Sequence, residues 1–379
     1  MNHVRLLETL LAEIIPGVRE SRKQIIRFAD ETEYRNCLMH LRRMRKAIPS
    51  ARRVLALSNI RSFSCALRCK DKLLKDWDGM LTVEEDMRVS VGPSSATSFA
   101  VGEQPSVPWG IQQIRAPDAW AYSQGQRIRI GVIDTGIDYH HPDLQGRIGR
   151  GINLMLRGAL PVDDNGHGTH IAGTIAASGG IIGVAPQSII HPVKAFDHHG
   201  SAYVSDIIQG IDWCVRQKLD IVNMSFGMKT RSKSLHEAVR QAVAAGVVIV
   251  SSSGNDGSST RTDYPARYPE TISVGALNRS RRISRFSNRG PSVDLYAPGE
   301  RVLSTWVNGR YHHLSGSSMA TSHVTGVVAL MLASRPSLSP RRLKRLLLAS
   351  ARPLNLSGRT RTGELDAMRA LRILRKKFP

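Results

Sequence analysis

From Trp109 onward, short apolar runs rich in β-branched residues alternate with stretches of helical spacing, and this alternation constrains the fold most. The runs cover residues 129–133, 189–194, 221–224, 247–252 and 271–274, and the helical stretches between them include 167–177, 203–216 and 234–245. Strands separated by helices in this way form a parallel sheet with helices on both faces, an α/β architecture. Chemistry in such sheets collects at the carboxyl ends of the strands. Asp134 follows directly on the run ending at Ile133, where a catalytic acid is expected.

A smaller unit precedes this one. Residues 24–28, 53–57, 62–64, 80–83 and 88–91 read as strands, and 31–44 and 66–77 as helices. That β-α-β-β-α-β order predicts a small α+β, ferredoxin-like domain over residues 1–92. Residues 93–108 hold Gly, Pro and Ser with little apolar periodicity and read as a linker, leaving 109–379 as the second domain. Cys65 and Cys69 read as facing one side of a helix, but no further ligands accompany them, so a metal site is not expected. Cys37, Cys65, Cys69 and Cys214 make no regular disulfide framework, which fits a reducing compartment.

The apolar patch at residues 10–15 is interrupted by Glu13 and preceded by Glu8, so it reads as an amphipathic helix rather than an export signal. A cytoplasmic location follows as the expectation, with secretion by a non-classical route as the alternative. No apolar run approaches the ~18 residues of a membrane span, so no transmembrane segment is expected. The formal net charge is +22, and residues 335–379 hold thirteen Lys/Arg against Glu364 and Asp366. A basic helical tail of this kind can bind nucleic acid or an anionic surface, or serve only as a solvated face.

Three islands carry the chemistry: residues 132–136 (Val-Ile-Asp-Thr-Gly), 166–170 (Gly-His-Gly-Thr-His) and 316–320 (Gly-Ser-Ser-Met-Ala). In that order they present a carboxylate, an imidazole and a hydroxyl, the parts of an activated serine nucleophile. Ser318 opens an apolar helical run, where free N–H groups and the helix dipole favour an oxyanion. His167, between two glycines, is the candidate base, and Asp134 the group that orients it. Asp138, Asp163 and Asp164 are nearby alternatives for that role. Asn255, between Gly254 and Asp256, is a candidate second oxyanion donor beside the Ser318 N–H. The pairs His140-His141, His198-His199 and His312-His313 lack accompanying ligands at metal spacing.

With these islands the chain resembles the subtilisin-type serine peptidases, the subtilase family (peptidase S8). The likeness runs from about residue 107 to 371 and includes segments 106–110, 141–144, 183–186, 223–227 and 297–299. It implies a subtilisin-like fold and a serine endopeptidase acting on protein and peptide substrates, with no organic cofactor. The first unit resembles the family's propeptide, an intramolecular chaperone and inhibitor, so the chain is expected to be a self-inhibited zymogen. The absent signal resembles the intracellular branch.

By the same resemblance, Ser225, Phe226 and Gly227 pair with the substrate backbone, and Gly200 and Ser201 flank it on the other side. Asp256 and Asp263 fall at the rim and base of the pocket for the side chain before the scissile bond, where two carboxylates favour Lys or Arg. The stretch between Ala177 and Gly183 is shorter than the family's calcium loop, and Pro105 stands where a side-chain ligand is usual. Asp143 remains of that set, so tight calcium binding is not expected. Ser317 and Ser322 replace the usual Thr and Pro near the nucleophile.

Overall fold

Largely apolar strands rich in β-branched residues have to be covered on both faces, and the computed structural model does this with nine strands in one sheet. It describes residues 3–15, 23–92, 97–99, 105–354 and 362–377. Most of the predicted linker, residues 93–96 and 100–104, lies outside the described residues.

The first unit contains α1 (His3–Ala12), β1 (Lys23–Phe28), α2 (Glu31–Ala47), β2 (Leu55–Leu57), β3 (Ser62–Ala66), α3 (Lys70–Asp76) and β4 (Leu81–Glu85). Its antiparallel sheet has the order β2-β3-β1-β4, the ferredoxin-like arrangement. Leu6, Leu7 and Leu10 of α1 pack with Tyr34, Cys37 and Leu41 of α2 over one face of that sheet. The predicted helix 66–77 begins later than its spacing suggested. Ala66 is held in β3 by pairing with Lys23, and Leu67 bridges to Ile14, so backbone pairing outweighs local helix propensity. Cys65 is therefore buried in a strand and Cys69 is exposed before α3, not on a shared helix face. Arg53, expected to open a strand, instead closes a 3-10 turn, Pro49–Arg53, before β2.

Two further strands leave the first unit: β5 (Arg88–Ser90) and β6 (Thr97–Phe99). β5 was expected within the unit's own sheet but pairs elsewhere, as described below. After α4 (Trp109–Gln113) and α5 (Ala116–Ala119), the second unit alternates β7 (Arg129–Asp134), β8 (Ile152–Asn153), α6 (His167–Ala176), β9 (Ile189–Lys194), β10 (Ser201–Tyr203) and α7 (Val204–Arg216). It continues with β11 (Ile221–Met224), α8 (Lys233–Ala244), β12 (Val248–Ser252), β13 (Ile272–Leu277), β14 (Leu295–Pro298), and the hairpin β15 (Val302–Trp306) and β16 (Arg310–Leu314). α9 (Ser317–Ser334), α10 (Pro340–Ser350), β17 (Arg352–Pro353), β18 (Gly363–Glu364) and α11 (Ala367–Lys377) complete it.

The large sheet runs β17-β18-β14-β13-β12-β11-β7-β9-β8, parallel except for the β17–β18 pair. β7 lies between β11 and β9, which come later in the chain on opposite sides of it, so strand order switches there. α6 and α9 belong to the apolar cluster on one face, α7 and α8 to that on the other. α9 is apolar all round and buried from Ser317 to Leu332, as a helix running through a core must be. α10 and α11 bury Leu343, Leu346, Leu347, Met368, Leu371 and Leu374 and expose Arg341, Arg345, Arg372 and Arg375. No described helix is long and apolar enough to cross a membrane.

The first unit meets the second through the free helix ends of α7 and α8. Glu84 accepts from Ser232 Oγ (2.7 Å) and from the N–H groups of Lys233 and Ser234 (3.1 Å each) at the start of α8. Asp86 accepts from the Ser205 N–H (2.9 Å) at the start of α7 and from Ser64 Oγ (2.8 Å). Ile25, Leu57 and Ile60 join the apolar cluster beneath the two helices. Carboxylates at helix N-termini satisfy orphan N–H groups and meet the dipole. Glu84→Ala is expected to lower unfolding stability by about 1–2 kcal/mol in urea denaturation. An unchanged midpoint and slope would show that this cap contributes nothing in solution.

Candidate active site

Asp134, the last residue of β7, is fully buried. Its Oδ1 accepts from the Thr135 N–H (2.8 Å) and lies 2.8 Å from His167 Nδ1. A carboxylate has no proton to give, so Nδ1 carries the hydrogen and Nε2 is left as the acceptor. Burial pushes the His167 imidazolium down, but the Asp134 charge and hydrogen bond, with Asp163, more than offset this and hold it above the ordinary histidine value.

The residues around His167 explain why it stands there. Gly166 precedes α6 with φ +109°, and a Cβ on it would lie 2.3 Å from the Trp306 ring. A Cβ on Gly168 would lie 2.2 Å from the Gly136 carbonyl, so the first turn of α6 rests directly on the loop after β7. Asp163, one of the alternatives to Asp134, instead accepts from Thr135 Oγ1 (2.8 Å), Thr169 Oγ1 (2.6 Å) and the N–H groups of Asn165, Gly166 and Thr169. It ties the loop before His167 to the loop after Asp134. Asp138 accepts from the N–H of His140 (2.9 Å), and Asp164 pairs with Lys194 at 2.6 Å. His170 places Nε2 3.0 Å from the Val302 carbonyl and 3.1 Å from that of His312; burial foremost, with the neighbouring His167, lowers it to about 3 and keeps it neutral.

Ser318 sits in the first turn of α9. Its hydroxyl donates to the Ser225 carbonyl at 2.8 Å, and no described hydrogen bond joins it to His167. Asn255 Oδ1 accepts from both the N–H and the Oγ of Ser317, each at 2.8 Å. That fixes the amide with its Nδ2 toward the cleft, where a Cβ on Gly92 would lie 2.9 Å away. Ser317, read from sequence only as a replacement near the nucleophile, thus orients Asn255. Ser322 Oγ donates to the Ser318 carbonyl (3.0 Å) within the helix.

Ser225, Phe226 and Gly227 follow β11, and Gly200 and Ser201 stand across the cleft from them. Between the two lies β5. Ser90, Val89 and Arg88 pair antiparallel with Ser201, Ala202 and Tyr203, Ser90 also bridges to Gly227, and the Val91 N–H donates to the Gly200 carbonyl (3.0 Å). Asp256 and Asp263 are near neighbours, but Lys229 already pairs with both, at 2.8 Å from Asp263. Sequence reasoning passed over Lys229, because only the bridge between Met228 and Tyr264 brings it there.

Asp143 does not fit a calcium ion. Its two oxygens accept from the N–H groups of Gly180 (2.7 Å) and Ile181 (2.8 Å), so the short loop turns donors, not carbonyls, toward the carboxylate. Among the described residues no group of three or more His, Cys, Asp or Glu is arranged to hold a metal. The paired histidines have local partners. His141 Nε2 lies 3.0 Å from the Arg310 carbonyl, His312 stacks on Trp306, and the rings of His198 and His199 lie 3.8 Å apart.

Comparison with known proteins identifies the family of the chain. The sequence model of the subtilase family matches residues 125–368. Subtilisin of Bacillus pumilus is 44% identical over 240 residues, which is 61% of this chain and 86% of that protein. The intracellular serine protease of Paenibacillus polymyxa is 45% identical over 236 residues, 59% of this chain and 72% of the relative. The major intracellular serine protease of Bacillus subtilis (strain 168) is 45% identical over 239 residues, 59% and 75% respectively.

In NMR titration of the Ser318→Ala chain, His167 is expected to lose its proton above the usual value of about 6.5. Asp134→Asn removes the charge that favours the imidazolium, so the titration should move to lower pH. A titration unmoved by that substitution would show that Asp134 does not act on His167 in solution.

Proposed function

The chain belongs to the subtilase family and is a serine-type endopeptidase, and on that premise we propose that Ser318, His167 and Asp134 are its triad and residues 1–92 its own inhibitor. Ser318 Oγ attacks the substrate carbonyl carbon while its proton passes to His167 Nε2. The tetrahedral oxyanion is held by Asn255 Nδ2 and the Ser318 N–H. The C–N bond then breaks, and the leaving amine takes the proton from His167. Water cleaves the acyl-enzyme by the same route in reverse, giving its proton to His167 and returning one to Ser318. Asp134 stays ionised throughout and stabilises the imidazolium.

The observation that carries the inhibitory part of this reading is the course of residues 88–92. They run as a strand between Ser201–Tyr203 and Gly227 and reach Asn255 at Gly92. A substrate needs that same backbone pairing, so the segment competes with it directly. The division of the chain we propose with it is an inhibitory unit to residue 92, a linker over 93–108, within which β6 pairs with β16 of the second unit, and a peptidase domain over 109–379. We also propose work inside the cell, because two of the relatives are named intracellular proteases.

Full-length chain and its Ser318→Ala variant, followed by intact mass and casein hydrolysis, test the triad and the zymogen together. The expected outcome is self-cleavage between about residues 91 and 108 with casein digestion in the first, and an intact, silent second. Casein digestion by Ser318→Ala would overturn the triad. Digestion by the uncleaved chain at full rate would overturn the inhibitor. Since the Asp143 carboxylate is already taken by backbone N–H groups, a calcium chelator is expected to leave the melting temperature within about 1 °C. A drop of about 10 °C would overturn that reading; the conversion follows from about 1 kcal/mol shifting Tm by a few degrees.

A further inference from the structure

Resting on the endopeptidase reading above, we infer that Lys229 is a specificity-determining residue: it stands in for a substrate's basic side chain by neutralising Asp256 and Asp263 in the pocket beside Asn255. Two glycines flank the Asp263 carboxylate: Gly227, which bridges to Ser90, and Gly254, next to Asn255. A Cβ on Gly227 would lie 2.7 Å from the Asp263 carboxylate, and one on Gly254 would lie 2.5 Å from it. Asp263 therefore lies against both backbones, and glycine is required on each side of it. The segment in the cleft presents Gly92 at this point, which has no side chain to enter the pocket.

Lys229 meets these carboxylates from the solvent side. The Met228 and Tyr264 backbones exchange two hydrogen bonds, 2.9 and 2.8 Å, and this places Lys229 beside Asp263. Its ammonium lies 2.8 Å from Asp263 Oδ1 and also pairs with Asp256. Asn288 Nδ2 reaches both carboxylates, at 3.3 Å from Asp256 and 3.5 Å from Asp263, and keeps them turned toward each other. Two carboxylates this close need a cation, and Asp263 is nearly buried while Lys229 is mostly exposed. The ammonium is thus held by charge on a flexible, solvated stem, and a substrate's Arg or Lys can compete for the same oxygens. An Arg substrate has to displace Lys229, which mutes the preference that the carboxylates alone would create. A neutral side chain meets carboxylates already compensated, so the pocket accepts both.

The test compares two peptides alike except for Arg or Phe before the scissile bond, with the full-length chain as expressed. Lys229→Ala is expected to raise the Arg-to-Phe ratio of kcat/KM about tenfold at low salt, the scale of one well-placed charge pair. The gain should shrink as salt is added. It should vanish in Lys229→Ala/Asp263→Asn, and Asp256→Asn supplies an exposed control if the buried change impairs folding. An unchanged ratio in Lys229→Ala, or a rise that survives both carboxylate substitutions, would overturn the inference. If no variant cuts either peptide while all remain folded, the endopeptidase reading fails separately. The same two peptides titrated calorimetrically then decide Lys229, with an unchanged affinity ratio counting against it.

Discussion

A carboxylate at the dry carboxyl end of a central parallel strand has to be satisfied, and much of this molecule is arranged around that requirement. Asp134 is fully buried, so an ionised side chain there would cost several kcal/mol without partners. The Thr135 N–H and His167 Nδ1 are those partners, both on Oδ1, while the buried Oδ2 has none among the described residues. Bringing His167 in requires α6 to start against the loop after β7, which is why Gly168 meets the Gly136 carbonyl with no room for a Cβ. Asp163 then locks both loops with five hydrogen bonds to backbone and hydroxyl groups. The imidazole's orientation thus follows from the sheet's interior, not from the flexible surface around it.

The same physics recurs where the first unit meets the second. Glu84 and Asp86 serve helix ends that would otherwise expose orphan N–H groups. Burial raises the Asp86 carboxyl, and burial raises Asp206 to about 6 despite the nearby Lys23. A carboxyl whose pKa is raised in the docked state binds its proton more tightly there than when exposed. Docking is therefore favoured at low pH and weakens as pH rises from the usual carboxylate range through about 6. The first unit is held by these hydrogen bonds as well as by the apolar contacts of Ile25, Leu57 and Ile60, and only the titratable groups respond to pH.

The parallel sheet was legible because its strands are largely apolar, and the proposed nucleophile, base and acid because each sits among small residues at a strand or helix end. What escaped was set by tertiary pairing. Ala66 reads as helix but is claimed by β1. β5 reads as part of the first unit's own sheet, yet its partners are Ser201–Tyr203 and Gly227, hundreds of ångströms of chain contour away. Lys229 has no local signal at all, since Tyr264 brings its partner to it. The β15–β16 hairpin is a different case: Asn308-Gly309, both with positive φ, is a strong turn signal that periodicity alone overlooked. That hairpin carries Trp306 onto Gly166 and supplies both carbonyls that fix His170.

On the proposed mechanism, most of the machinery is already assembled while the cleft is filled. Asp134 and His167 are bonded, and Asn255 is held by two hydrogen bonds from Ser317. The Ser318 hydroxyl is the exception, since it donates to the Ser225 carbonyl. A single hydroxyl rotor exchanges partners easily, because one hydrogen bond of about 1 kcal/mol net is replaced by another. Removing residues 88–92 from the cleft, by contrast, breaks the ladder with Ser201–Tyr203 on one side and the bridge to Gly227 on the other. The barrier to activity therefore lies in clearing the cleft rather than in building the site. An enzyme held back in this way can be switched on by cutting its own chain, without refolding the domain that does the cutting.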